Sequence, residues 1–232
     1  MKHQDVEVSI ELLYKSPLEF SIKEQSEAKK LWPYSVGIEI ECDKAFDYRE
    51  EFFKAIPDIM DVNTDDSEQR YRLPTGIKGM ICLWNLCDKL MRYSLVNMES
   101  GIHYHIDFTD CYNEVIENLV EEDVKFMLSE LDTWGYKGTY NSRNVSKHCG
   151  HCWIRFQDSF KTMECRIGEM TFHYYLLLQR ILHLQSISMI IKERCTVNQG
   201  LRKFIKEHKF DEPETKSFRE IEQIVKRRVI KL

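Results

Sequence analysis

Apolar positions along this chain recur with two different periods, and the period separates strands from helices. Val36, Ile38, Ile40 and Cys42 alternate with Gly37, Glu39 and Glu41, which predicts a strand over 35–42. Ile102, Tyr104, Ile106 and Phe108 alternate with His103, His105 and Asp107 and predict a second strand over 102–108. Residues 152–157 and 162–167 read as a hairpin pair, and Arg70-Tyr71-Arg72-Leu73-Pro74 as a fourth strand. A further alternation covers 6–12. Helical spacing begins at Ser21-x-x-Glu24, a capping-box pattern that opens a short helix ending before Pro33. Met80, Leu83, Trp84, Cys87, Leu90, Met91 and Leu95 share one face of a helix over 80–95. Helical periodicity returns over 112–133 and stops near Gly135, and 136–150 reads as a polar loop. Residues 171–194 are apolar on nearly every side, which predicts a long buried helix. Ser217-x-x-Glu220 opens a last amphipathic helix with Ile221, Ile224, Val225, Val229 and Leu232 on one stripe. The expected organisation is an N-terminal extension over 1–34, a catalytic domain over 35–195 and a basic helical extension over 196–232 packed on the same domain.

Composition narrows the class. The 232 residues are 43% hydrophobic, with 9 Gly and 5 Pro, which excludes a disordered or collagen-like chain and suits one large domain with appendages. The formal net charge is −5, so a basic nucleic-acid surface is not its global character. Residues 192–232 do carry twelve Lys/Arg against seven Asp/Glu, and we read that excess as a solvated helix face rather than a polyanion site. His173, Arg180 and His183 interrupt the most apolar stretch, so no membrane span is expected. The first residues lack an apolar leader, and eight cysteines then read as reduced thiols of a cytoplasmic protein.

The candidate chemistry lies on the polar side of the strands. Strand parity puts Glu39 and Glu41 on one face, and His103, His105 and Asp107 on one face of the next strand. Glu164 and Arg166 share a face in the stretch Thr162–Met170, where Glu169 falls on the wrong parity unless Gly168 allows a bulge. Arg70 and Arg72 add two guanidinium groups. Charged groups at period two, backed by apolar ones, are costly unless the charged face holds a compensating ligand. Carboxylates and imidazoles suit a metal and arginines suit phosphate, so the pattern points to a metal–nucleotide site. His148-Cys149-Gly150-His151-Cys152 has zinc-ligand spacing but no second Cys-x-x-Cys, and we expect neither zinc nor a disulfide at Cys149 and Cys152.

Gly37-x-Glu39-x-Glu41, Ser100-Gly101-x-His103-x-His105 and Glu164-x-Arg166 occur in the order found in the glutamine synthetase and glutamate–cysteine ligase superfamily. In size and spacing the chain most resembles its amidoligase branch, the carboxylate–amine ligases of bacteria and phages, over about Val36 to Ile181. The resemblance implies an α+β fold: a curved antiparallel β-sheet, or half-barrel, with helices packed on its convex face and Mg-ATP (or Mn-ATP) on its concave face. It implies that Glu39, His103 and Glu164 hold the metal that bridges the ATP phosphates, and that Glu41 holds a second metal. It implies that His105 contacts phosphate and that Arg166 stabilises the transferring phosphoryl group. Arg72, before Pro74 and Gly76, resembles the branch's strand–turn–helix and is the favoured second arginine. Asp107 and Cys165 depart from the family pattern.

The implied reaction has a substrate carboxylate attack the γ-phosphate of ATP, after which an amine displaces phosphate from the acyl phosphate and leaves an amide. The partners expected are small-molecule or peptide acids and amines. Two other classes stay open on the residues alone. One is a metal-dependent phosphotransferase or hydrolase using the same face. The other is a catalytically silent binding protein on this fold.

Overall fold

The computed structural model describes residues 15–41, 60–64, 68–93, 101–135, 142–146, 151–169 and 171–207. The alternation at 6–12, the helix expected after Ser217, and His148 and Cys149 lie outside them. By internal packing the chain divides into two compact units, Met1–Asp107 with Met163–Ser186 and Phe108–Thr162 with Ile187–Leu232.

The first unit opens with a 3-10 turn, Pro17–Glu19, and helix α1, Ile22–Leu31. Ser21 and Glu24 form the expected capping box: Ser21 Oγ accepts from the Glu24 amide at 3.3 Å and Glu24 Oε2 accepts from the Ser21 amide at 2.6 Å. Trp32 ends the helix before Pro33 and is wholly buried. Strands β1 (Val36–Glu41), β2 (Met60–Thr64), β3 (Glu68–Leu73) and β4 (Gly101–Asp107) follow, with helix α2 (Gly76–Tyr93) between β3 and β4. The strand order in this unit is β2-β3-β1-β4-β7, where β5, β6 and β7 are Ser142–Ser146, Cys152–Gln157 and Thr162–Glu169. β1 runs antiparallel to both β3 and β4, and this register controls the site. Glu39 stands opposite Arg70 on one side and His103 on the other, and Gly37 opposite Arg72 and His105.

The apolar face is the core of this unit. Ile38, Ile40, Ile102, Tyr104, Ile106, Cys165 and Ile167 are all buried. A side chain of this size contributes roughly 1.5–3 kcal/mol when taken out of water, which fixes the register against a one-residue slip. Such a slip would send these groups to the polar face. α2 covers this face with Met80, Leu83, Leu86, Cys87 and Leu90, and its Trp84 packs edge-on against Tyr174 at 4.8 Å. Met91, expected on the inner stripe, is exposed and Trp84 is only part-buried, while Cys82 and Leu86 are buried: the inner face is turned from the 84/91 side toward the 82/86 side. α2 also starts four residues earlier than its apolar spacing suggests. Gly76 adopts φ +63, donates its amide to the Trp32 carbonyl at 2.9 Å, and turns the chain from Pro74 into the helix.

The second unit holds α3 (Tyr112–Asn118), α4 (Glu121–Asp132), β5 and β6. The single helix expected over 112–133 is two. Leu119 and Val120 are extended, and the Asp123 carboxylate accepts from the Val120 amide at 3.1 Å to start α4 afresh. Residues 136–150 are not all loop, because β5 lies within them. Its sequence, Ser-Arg-Asn-Val-Ser, has no apolar alternation to reveal a strand. β5 and β6 pair in parallel, with a register shift between Ser142 and Val145. An in–out alternation is the same in either polarity, so the expectation of an antiparallel sheet holds for β1–β4 and not for this pair. Helix α5, Tyr174–Glu207, has residues in both units. It outruns the expected end near 194 because Lys, Arg and Glu are good helix formers, so charge alone does not stop it. In the second unit its Lys192 reaches Asp110 at 3.0 Å, its Arg194 reaches Asp123 at 3.5 Å, and Asn198 donates to the Asn118 carbonyl at 3.1 Å.

Among the described residues no helix is long and apolar enough to cross a membrane. The six described cysteines are thiols rather than disulfides. Cys152 is buried, and its Sγ donates to the Ile154 carbonyl, while His151 is exposed.

Candidate metal centre

The polar face of β1, β4 and β7 brings three buried groups together. Glu39, His103 and Glu164 are 6%, 5% and 0% exposed. Their candidate ligand atoms all lie within 4.8 Å of one another. Around one small cation two ligand bonds span roughly 4–5 Å, so the spacing fits a single ion. The register explains the convergence. Glu39 and His103 are directly opposed across β1 and β4, and alternation aims both to the same side. His103 Nδ1 stands 3.3 Å from Glu39 Oε2 and 3.7 Å from Glu164 Oε1. The first is a hydrogen bond and the second is longer than one, so His103 pairs with Glu39 and stands beside Glu164.

Charge around the triad is arranged in pairs. Arg70 Nε stands 2.7 Å from Glu39 Oε1, and Arg166 Nη1 donates to Glu164 Oε1 at 2.8 Å. His105 Nε2 lies 3.2 Å from the same Glu39 oxygen that Arg70 touches. Burial pushes the Glu39 carboxyl up. The hydrogen bonds of His103 and His105 and the charges of His105 and Arg70 outweigh that, and hold it well below the usual carboxylate range. Glu39 is therefore an anion at neutral pH. The two buried carboxylates each face an arginine, and a dication on the triad would add positive charge there, which suits a phosphate chain.

Of the residues singled out from the sequence, Glu39, His103, His105, Glu164 and Arg166 come together here. Glu41 ends β1 opposite Gly101, and its side chain lies outside the described residues. Arg72 does not join the triad. It sits one row along, opposite Gly37, half exposed, with Nη2 3.4 Å from Ser35 Oγ and 3.5 Å from Asp107 Oδ2. Arg70 is the arginine that reaches Glu39. Both arginines have the parity for this face, so only the pairing register separates them. Ser35 is a further member of the face that alternation within 36–42 did not single out. It aligns with Asp107, whose amide donates to the Ser35 carbonyl at 3.2 Å, and its hydroxyl donates to Asp107 Oδ2 at 2.9 Å.

Two glycines shape the strands around these groups. A Cβ on Gly37 would stand 3.1 Å from His105 Cβ, so bare backbone floors the row between Arg72 and His105. A Cβ on Gly168 would stand 2.6 Å from Ile102 Cγ2 and 2.8 Å from Tyr104 Cε2, side chains of the apolar face. Only glycine lets β7 approach β4 there. Behind the triad, Tyr104 is wholly buried, and burial pushes its phenol far up against the influence of Arg180 on α5.

No family model and no curated protein matches this chain.

Proposed function

We propose that the chain is an ATP- and Mg-dependent carboxylate–amine ligase built on a glutamine synthetase-like sheet. The observation that carries the proposal is the buried Glu39–His103–Glu164 triad with an arginine on each carboxylate. Glu39, His103 and Glu164 would hold the metal, which when bound neutralises phosphate charge. The chain's own groups have positioning roles. Arg166, 16% exposed at its side chain, faces the triad through Glu164 and would stabilise charge on the transferring phosphoryl group. Arg70 and His105 orient Glu39 and add positive potential beside it. In the reaction a substrate carboxylate oxygen bonds to the γ-phosphorus as the bond to ADP breaks. The amine nitrogen then bonds to the acyl carbon, phosphate leaves, and the amine gives up a proton. Such a reaction needs no protein nucleophile, and position and charge supply the rate.

ADP release across a matrix of acids and amines tests the proposal. Release is expected only when ATP, an acid and an amine are all present. Arg166→Ala is expected to lower kcat by roughly a hundredfold, on the order of 3 kcal/mol, while changing ATP affinity far less. ADP formed equally well without acid or amine would instead make the protein a phosphotransferase or hydrolase. Failure to bind Mg-ATP would make it a silent binding protein.

A further inference from the structure

Resting on the metal centre of the ligase reading, we infer that Tyr104 and Arg180, on the apolar side of the sheet, are positioning residues for the metal: together they hold β4 against β7 so that His103 and Glu164 meet one ion. The two ligands come from different strands that are neighbours in the sheet. His103 Nδ1 and Glu164 Oε1 stand 3.7 Å apart, too far for a hydrogen bond between them, so the strands that carry them set the spacing. Tyr104 lies between His103 and His105 in β4, and Cys165 between Glu164 and Arg166 in β7. Alternation turns both to the core, where both are wholly buried.

Tyr104 braces β7 from behind. A Cβ on Gly168 would stand 2.8 Å from Tyr104 Cε2, so the ring lies against the bare β7 backbone. Arg180 of α5 reaches the Tyr104 hydroxyl, and its charge acts on the Cys165 thiol as well. One guanidinium thus stands behind both ligand-bearing strands. It takes an inward position of its helix, because Leu177 and Leu184, three residues before it and four after, are buried.

Packing alone does not call for this pair. Ile102 and Ile106, which flank Tyr104 on the same face of β4, are wholly buried and carry no polar side-chain atom. Phenylalanine at 104 and leucine at 180 would fill similar space and leave no hydroxyl or guanidinium to be taken out of water. Replacing a buried polar or charged pair by apolar groups is often neutral or stabilising. What the pair adds is direction. An apolar ring slides on its neighbours, whereas a hydroxyl held by a guanidinium fixes the ring along its long axis. Strand residues advance by roughly 3.3 Å each, so a slide of β4 along β7 by a fraction of one residue would draw His103 away from Glu164.

Mn2+ binding to the full chain tests this without ATP, acid or amine, so a failed search for amide-forming substrates leaves the result untouched. Free Mn2+ is followed by EPR in the wild type, in Tyr104→Phe and in the double variant Tyr104→Phe/Arg180→Leu, and urea unfolding of each is followed without metal. The double variant is expected to be at least as stable as the wild type and yet to bind Mn2+ at least tenfold more weakly. Tyr104→Phe, which keeps the ring and removes only the hydroxyl, is expected to lose affinity by a similar factor. Co2+ bound in place of Mn2+ is expected to shift its visible absorption bands in both variants, because band position reports ligand geometry. Mn2+ affinity within twofold of wild type in either folded variant, or unchanged Co2+ bands, would overturn the inference while leaving the metal centre in place. A double variant that loses stability along with affinity would overturn it too, since the pair would then be ordinary packing. A wild-type chain that binds no Mn2+ would remove the metal centre and this inference together.

Discussion

Replacing Glu39 by glutamine removes one charge from the triad with almost no change of shape, and two effects can be separated. The first is structural. Arg70 loses the oxygen anion 2.7 Å from its Nε, and His103 and His105 lose their shared acceptor charge. Breaking a wholly buried pair costs about 3–5 kcal/mol. The Arg70 side chain is 30% exposed and recovers part of that from water, so a loss of roughly 2 kcal/mol is expected. For a chain of this size that lowers Tm by about 4–8 °C. The second effect concerns the ion. Mn2+ at a hundred times its dissociation constant stabilises the wild-type chain by about 2.7 kcal/mol, which raises Tm by about 5–10 °C. Removing one of three ligands and one of two ligand charges should weaken binding a hundredfold or more, which leaves a rise of about 1–2 °C at the same concentration. The assay is thermal unfolding of both proteins over a Mn2+ titration. A Glu39→Gln protein that keeps the full metal-dependent rise in Tm would refute the metal centre, whatever its stability without metal.

Two further outcomes test the packing on which the site depends. Gly168→Ala should lower stability by about 1–3 kcal/mol, read as several degrees of Tm, because its Cβ would enter the space of Ile102 and Tyr104; an unchanged Tm would mean that the strands do not approach as described. In the second unit, burial pushes the Asp123 carboxyl up from its ordinary 3.8, against the Val120 amide and Arg194. A raised folded pKa favours the protonated native state, so that stability is full below pH 3.8 and is lost as pH rises through the folded value. Asp123→Asn, which keeps an acceptor for Val120, should remove this slope of up to about 1.4 kcal/mol per pH unit in urea unfolding, and equal slopes in both proteins would contradict the burial argument.

Much of the site was legible in the sequence because strands impose a strict parity. Glu39, His103, His105, Glu164 and Arg166 had to leave their strands on the side opposite Ile38, Tyr104 and Cys165, and burying those apolar groups settled which side was the core. The capping box at Ser21 and Glu24 was equally local, since its bonds span three residues. Parity says nothing of which residues face one another across strands. Choosing Arg70 rather than Arg72 for Glu39, placing Arg72 beside Asp107, and drawing in Ser35 required the register of β1 with β3 and β4, a long-range property. β5 carries little apolar alternation, and the break at Leu119 depends on a buried cap. Those features follow from pairing and burial, which the order of residues along one segment does not specify. What the chain determined by itself was the two-faced character of its strands; the tertiary structure decided which charges meet, because only strand pairing brings groups 64 residues apart, such as Glu39 and His103, within 3.3 Å.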